Sequence, residues 1–161
     1  MPVSKFKEYL DSKKIKYVSL AHSIAFTAQE VAALTHTPGR ELAKTVMVKL
    51  DDALAMAVLP ASFQVDLGQL KAAAGASSAA LAVEADFRGR FPDCETGAMP
   101  PFGNLYGMTV YVDESLTRDH EIAFNACSHH ELVRLAYTDY ARLVEPKVAS
   151  FATRRAHVNA A

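Results

Sequence analysis

The feature that most constrains the fold is a pair of β-prone segments separated by two aspartates. Residues 44–50 and 53–60 are rich in Val, Leu, Met and Ala, and Asp51-Asp52 supplies a two-residue turn between them. This pattern predicts an antiparallel hairpin. The second segment is apolar at successive positions, which is typical of a strand covered on both faces. We therefore expect this strand to lie centrally in a sheet with a layer on each side.

The remaining segments predict helices and strands in mixed order. Amphipathic spacing predicts a helix from Val3 to Lys14, and the capping box Thr27-Ala28-Gln29-Glu30 predicts one that ends before Pro38-Gly39. Asp66 and Gly75 are typical ends of a third helix. Further strands are predicted at 16–20, 77–84, 108–113, 121–125 and 128–135, and further helices at 85–91 and 138–144. This order indicates an α+β fold with a mostly antiparallel or mixed sheet.

The length of 161 residues fits one domain, which we expect to span residues 1–150, with residues 151–161 as a loose tail. No apolar run reaches the ~18–20 residues of a membrane span, and the N-terminus has no apolar signal segment, so we expect neither membrane association nor secretion.

Two cysteines, Cys94 and Cys127, make no disulfide framework. They predict free, buried thiols in a reduced cytoplasmic setting.

Charge is balanced overall, with a net charge of -1, but it is unevenly distributed. Residues 1–50 carry eight basic and four acidic residues, whereas residues 51–145 carry six basic and fourteen acidic ones. A basic segment of this size can bind a polyanion over a small area. It is too small to coat long DNA, since such binding needs many phosphate contacts. A solvated helix face is the alternative, and charge alone favours it.

Two features are candidates for ligand chemistry. Lys44 begins an apolar strand directly after the Pro38-Gly39 turn, where an ammonium could hold an anion or polarise a carbonyl. An ordinary strand-end lysine is the alternative, and the residues alone favour it. The segment Gly97–Gly103, here called the Gly97 loop, places paired prolines between glycines. It predicts a rigid wall whose backbone N–H groups could face a ligand, or else a tight structural connection.

Other chemistry is not supported by the sequence. His129 and His130 are expected on opposite faces of a strand, and Cys127 shares a face with His129, but no second Cys/His pair stands at zinc spacing. No nucleophile elbow, phosphate loop or dinucleotide fingerprint is present. We therefore expect no metal and no cofactor.

Taken together, the segments resemble the YbaK/ProX family of aminoacyl-tRNA deacylases, which is related to the editing domain of bacterial prolyl-tRNA synthetases. The resemblance runs from about His22 to Val144. The sequence of the Gly97 loop and the Leu105-Tyr106-Gly107 after it look closer to the free-standing ProX-type proteins than to YbaK itself. The segments that carry it are 27–32, 39–46, 58–60, 65–67, 97–103 and 124–129.

The resemblance implies a twisted, partly barrel-like sheet wrapped by helices, and hydrolysis of the ester that joins a wrongly chosen amino acid to tRNA. It implies Lys44 as the hallmark functional residue and His129 in the pocket, and we take both as candidate catalytic residues. Candidate substrate-binding residues are Thr45, Met47, Gly97, Ala98, Met99, Pro100, Pro101, Phe102 and Ser128.

The expected partner is the 3′ acceptor end of a mischarged tRNA, with Ala on tRNA-Pro as the leading substrate and an aminoacyl-tRNA synthetase as a second candidate partner. The alternative is a non-catalytic module that binds aminoacyl-adenosine, the tRNA end or a protein. One departure from the family pattern stands out. Cys127 occupies a position, just before Ser128-His129, where the family often has glycine. A side chain where glycine is usual would narrow the pocket, shift the backbone before His129, or pack inward.

Overall fold

The computed structural model describes residues 5–23, 28–35, 37 and 41–154, which form an α+β domain with mixed and antiparallel sheets. The helices are α1 (Lys5–Ser12), α2 (Ala28–Thr35), α3 (Leu67–Ala74), α4 (Glu84–Phe87) and α5 (Tyr137–Val144). The strands are β1 (Tyr17–Ala21), β2 (Ala43–Leu50), β3 (Ala53–Pro60), β4 (Gln64–Val65), β5 (Ala79–Leu81), β6 (Thr109–Asp113), β7 (Glu121–Asn125), β8 (Glu131–Ala136), β9 (Lys147–Ala149) and β10 (Ala152–Thr153). Two 3₁₀ turns flank β6, at Gly103–Leu105 and Glu114–Arg118.

The predicted hairpin is confirmed, and its second strand lies at the centre of the larger sheet. The strand order is β5-β2-β3-β6-β9, with β3 antiparallel to β2 and parallel to β6. Asp51 and Asp52 both have positive φ, as a two-residue hairpin turn requires. Met56 and Val58 pack into one core cluster, whereas Ala57 and Leu59 pack into another on the opposite face. Strand β3 is therefore covered on both sides, which is why its sequence shows no polar alternation.

A second sheet has the order β1-β8-β7 and is antiparallel throughout. A single parallel bridge between Leu42 and Ala123 connects it to the start of β2. The predicted strand at 128–135 is wrong at its beginning, because β8 starts only at Glu131. Cys127 has a φ of 69°, and the Ser128 hydroxyl accepts the backbone N–H of His130 at 3.1 Å. These residues form a turn, so His129 and His130 do not alternate across a strand.

The helix α1 confirms the first predicted amphipathic segment, although its predicted start at Val3 lies outside the described residues. Phe6 and Leu10 are fully buried. The Phe6 ring lies 4.8 Å from that of Phe102, and Phe102 lies 5.4 Å from Tyr140. Burial of each such side chain stabilises the fold by roughly 1.5–3 kcal/mol. The Gly97 loop is thereby fixed to α1 and α5 through Phe102.

The predicted ends of the other helices agree with the structure to different degrees. Asp66 accepts the backbone N–H of Gln69 at 3.0 Å and Gly75 ends α3 with a φ of 67°, as predicted. The helix predicted at 85–91 is confirmed only in part, since α4 ends at Phe87 and Gly89 turns the chain with a φ of 84°. Helix α2 is present, but Thr27 of its capping box and Pro38-Gly39 beyond its end lie outside the described residues.

The structure moves the expected boundary of the domain beyond residue 150. Phe151 is fully buried, and β10 pairs antiparallel with β4. The carboxylate of Asp113 accepts the backbone N–H groups of Phe151 and Ala152, each at 2.9 Å. These contacts make the chain part of the fold through Thr153, and residues 155–161 lie outside the described part. None of the described helices has the length and apolar character needed to cross a membrane.

Candidate functional site

The turn at residues 126–130, here called the His129 turn, is bonded directly to the Gly97 loop and the residues before it. The backbone N–H of Cys127 donates to the Ala98 carbonyl at 2.8 Å, and that of Glu95 donates to the Cys127 carbonyl at 2.9 Å. The Glu95 carboxylate accepts the backbone N–H of His129 at 2.7 Å. Two segments distant in sequence are thus held as one rigid unit, here called the paired loops.

The imidazole of His129 is oriented by this unit. Its Nε2 lies 2.8 Å from the Thr96 carbonyl, and a carbonyl only accepts hydrogen bonds. The proton of the neutral ring therefore resides on Nε2, which leaves the lone pair on Nδ1. The ring also lies against Gly97, where a Cβ would approach His129 Cε1 to 3.6 Å, and Gly97 has a φ of 85°. Both contacts join His129 to the Gly97 loop and the residue before it.

Cys127 and Cys94 form a disulfide, so the prediction of free thiols is wrong. The two residues are 33 apart in sequence and lie in the two halves of the paired loops. Cys127 also has a positive φ, which glycine adopts without strain, so the glycine expected here from the resemblance would fit the same turn. Sequence reasoning had no signal for the pairing, since it depends on the two loops meeting in space.

Most of the Gly97 loop is buried rather than open to a ligand. Phe102 is fully buried among aromatic rings, and the Pro101 carbonyl accepts the Tyr140 hydroxyl at 2.9 Å. A Cβ at Gly103 would lie 2.7 Å from the Met108 carbonyl oxygen, which shows how closely the backbones approach. Ala98, Met99 and Pro100 are buried as well, and only Gly97 is exposed. The loop is therefore a rigid support whose surface is its Gly97 end.

An open cavity lies beside that end. Met99 is the one predicted substrate-binding residue that lines it, whereas Glu95 and Arg88 are lining residues that the sequence reading did not single out. Their only sequence signal was proximity to Gly97 and to the short helix α4. The residues that line the cavity are Glu84, Phe87, Arg88, Gly89, Phe91, Cys94, Glu95, Thr96 and Met99. The lining therefore mixes apolar side chains with the charged or polar side chains of Glu84, Arg88, Glu95 and Thr96.

Lys44 lies apart from this cavity on β2. It pairs with Leu59 and, by strand alternation, shares a face with Val46, whereas Thr45 and Met47 face the other way. Met47 belongs to the same core cluster as Met99 and Phe102. The structure therefore brings Met47, Met99 and Phe102 together in the core, and the alternation places Lys44 on the opposite face of the strand.

The environment of Lys44 is unusual for a lysine. Its side chain is half-buried, and burial lowers the pKa of its ammonium below the ordinary value of 10.5. Within residues 5–23, 28–35, 37 and 41–154, no carboxylate forms an ion pair with it. Among the described residues, β5 pairs with β2 from Val48 to Leu50 and the Ala82 N–H donates to the Met47 carbonyl at 2.9 Å, so no described strand pairs with Lys44 on that side. A partly desolvated cation of this kind is a candidate functional residue.

A group of possible metal ligands occurs next to the paired loops. Atoms of Asp93, Cys94 and Cys127 lie within 4.8 Å of one another. Both sulfurs are engaged in the disulfide, and a metal is bound by thiolates rather than by a disulfide. In the structure as it stands, these residues do not offer a metal-binding set.

Comparison with known proteins agrees with the resemblance seen in the sequence. The sequence model of the aminoacyl-tRNA editing domain matches residues 22–143. The multifunctional Ser/Thr-tRNA deacylase ProXp-y of Escherichia coli (strain K12) is 36% identical over 97 residues, which cover 60% of this chain and 58% of that protein. The chain therefore aligns with a little over half the length of that relative.

Solved structures show the same fold at low sequence identity. The crystal structure of the hypothetical protein APE2540 superposes with a TM-score of 0.82 at 19% identity, covering 92% of this chain and 99% of that one. A structure described as that of a proposed trans-editing enzyme for prolyl-tRNA synthetase gives 0.78 at 20% identity, covering 93% and 98%. The expected fold class is confirmed by these matches.

Proposed function

The chain belongs to the aminoacyl-tRNA editing domain family, and on that premise we propose that it is a trans-acting deacylase that hydrolyses the ester of mischarged tRNA. The observation that carries the proposal is Lys44, a half-buried ammonium that forms no ion pair with any described residue and lies where no described strand pairs with β2 on the β5 side. A structural lysine would ordinarily be solvated or paired. This one is available to a ligand that carries negative charge.

Hydrolysis of an aminoacyl ester requires few catalytic groups from the protein. An aminoacyl ester is already activated, so water attacks the carbonyl carbon, the ester C–O bond breaks, and the ribose hydroxyl leaves with a proton. Negative charge develops on the carbonyl oxygen during attack, and a fixed cation stabilises it. Lys44 would orient that carbonyl or the terminal phosphate. A neighbouring ribose hydroxyl would assist the water, and no protein nucleophile is needed.

In this proposal the paired loops hold the His129 ring in a fixed orientation. The Nε2–H of His129 is committed to the Thr96 carbonyl, so the ring is held in one tautomer with Nδ1 as its acceptor. In this proposal His129 lines the pocket, and its bond to the Thr96 carbonyl fixes the orientation of the ring there. The exposed Gly97 end of the loop contributes backbone rather than side chain to the same surface.

Two substrate classes follow within the proposal. Ala on tRNA-Pro is the substrate expected from the sequence, whereas the Escherichia coli relative is named for Ser/Thr-tRNA. That relative is 36% identical to this chain over 97 residues. A site that hydrogen-bonds a substrate hydroxyl discriminates strongly against a substrate that lacks it. On this likeness we propose Ser or Thr ahead of Ala.

The test is deacylation of tRNAs charged with Ala, Ser, Cys, Thr and Pro by the wild type and Lys44→Ala. Removing the cation should slow hydrolysis roughly 100-fold or more without unfolding the protein, because it acts on the transition state. Lys49→Ala is the matched control, since Lys49 lies on the same strand and pairs with Asp86 at 3.6 Å. The control should retain nearly full activity.

The outcomes separate the proposal from its alternative. Unchanged hydrolysis by a folded Lys44→Ala variant would contradict the role of Lys44. No release of any amino acid by the wild type, with tRNA binding intact, would favour the non-catalytic binding module. An aminoacyl-tRNA synthetase added to the same assay tests whether it is a required partner.

A further inference from the structure

The turn that follows α1 carries three exposed lysines, and we propose that it binds phosphates of the tRNA acceptor stem. The residues are Lys13, Lys14 and Lys16, and the segment 13–16 is here called the basic turn. The inference rests on the proposed function and extends it, because it assigns the surface that receives the RNA outside the pocket.

The backbone fixes the basic turn in place. The N–H groups of Lys13 and Ile15 donate to the carbonyls of Tyr9 and Leu10, each at 3.1 Å, and Lys14 has a φ of 57°. This is the left-handed ending typical of a helix C-terminus. Ile15 is buried between exposed neighbours, so it anchors the turn to the core. The three ammonium groups are thus presented by an ordered segment.

The basic turn is connected to the Gly97 loop through one side chain. Lys13 Nζ lies 5.8 Å from the centre of the Tyr9 ring, and that ring lies 6.2 Å from the ring of Phe102. Asn104 also donates its side-chain amide to the Tyr9 hydroxyl at 3.3 Å. These contacts place the basic turn beside the Phe102 end of the Gly97 loop, and in the proposal the acceptor stem lies along this side of the domain.

Basic residues outnumber acidic ones around the basic turn. Residues 5–16 carry five lysines and two acidic residues, Glu8 and Asp11, and Glu131 forms an ion pair with Lys7. Residues 51–145, in contrast, carry fourteen acidic and six basic residues. A polyanion is therefore attracted more strongly to the basic turn than to the acidic segment 51–145. A short duplex fits this footprint, because three lysines can contact about three phosphates.

The experiment compares the wild type with Lys13→Ala/Lys14→Ala/Lys16→Ala. The matched control is Lys71→Ala/Arg118→Ala/Lys147→Ala, which removes three exposed basic side chains from α3, the turn after β6, and β9. Two substrates are used, a full-length mischarged tRNA and the same amino acid esterified to a CCA trinucleotide. Binding of uncharged tRNA is measured separately at several salt concentrations.

We expect the basic-turn variant to bind uncharged tRNA at least roughly tenfold more weakly than the wild type. The slope of log affinity against log salt concentration should become less negative by about 2 to 3, because about three phosphate contacts are lost. The KM for mischarged tRNA should rise with kcat unchanged, whereas hydrolysis of the trinucleotide ester should be unaffected. The control variant should match the wild type in affinity and slope.

Uncharged-tRNA binding separates this inference from the proposed function. If the wild type binds tRNA through the basic turn but releases no amino acid, the surface stands and the deacylase proposal fails. Wild-type affinity and salt slope in the basic-turn variant would overturn the inference. So would an unchanged tRNA affinity accompanied by lost binding to an added synthetase, since the turn would then be a protein interface.

Discussion

The paired loops and the Lys44 end of β2 show opposite ways of building a functional surface. In the paired loops, four hydrogen bonds of 2.7–2.9 Å and a disulfide hold His129 and Gly97 in one arrangement. At Lys44, a cation is partly desolvated, and none of the described residues pairs with it. The polar groups of the paired loops bond to one another, whereas the Lys44 ammonium forms no ion pair with any described residue. Rigid orientation and ligand chemistry are thus assigned to different parts of the domain.

The largest effect on stability is expected from opening the disulfide. Loop-closure entropy assigns a cross-link over 33 residues roughly 3–4 kcal/mol. We expect reduction to lower the free energy of unfolding by up to this amount, measured by guanidinium denaturation with and without reductant.

Two double variants sharpen that experiment. Cys94→Ser/Cys127→Gly should be about 1 kcal/mol more stable than Cys94→Ser/Cys127→Ser, because glycine tolerates the φ of 69° that serine does not. Two titratable thiols in the folded, unreduced protein would show that the cysteines are not paired.

A smaller effect is expected from Gly97→Ala. Alanine at a φ of 85° is strained by about 1–3 kcal/mol, and its Cβ would lie 3.6 Å from the His129 ring. Gly75→Ala is the matched control, since Gly75 has a φ of 67° and open space around it. Both variants should lose similar stability in thermal melts, but only Gly97→Ala should slow deacylation. Equal loss of activity in both would mean that His129 does not depend on Gly97.

The smallest effect concerns the titration of Lys44. Because burial lowers its pKa in the folded protein, the unfolded chain binds more protons between that pKa and 10.5. Stability contributed by this group should therefore rise as pH increases through that interval, and activity that needs the cation should fall over it. Lys44→Met should remove the stability trend, whereas Lys71→Met, at an exposed site on α3, should keep it. Denaturation at a series of alkaline pH values makes the comparison.

Local sequence signals predicted much of the fold. The two-aspartate hairpin, the unbroken apolar run of β3 and the Asp66 and Gly75 ends of α3 are properties of neighbouring residues, so they could be read without a structure. The signal failed at Ser128, where alternation suggested a strand and the positive φ of Cys127 made a turn. The sequence also predicted that the domain ends at residue 150, before Phe151. Phe151 is buried because it contacts residues far away in the sequence, such as Asp113.

The sequence by itself determined the hairpin, the helix ends, the uneven charge and the resemblance that singled out Lys44, His129 and the Gly97 loop. Only the tertiary structure decided that Cys94 pairs with Cys127, that Glu95 and Thr96 hold His129, and that Phe102 is core rather than an open wall. The physical reason is the sequence separation over which each kind of interaction acts. Turn, cap and alternation preferences act between residues close in sequence, whereas these contacts join segments about 30 residues or more apart, and only packing brings them together.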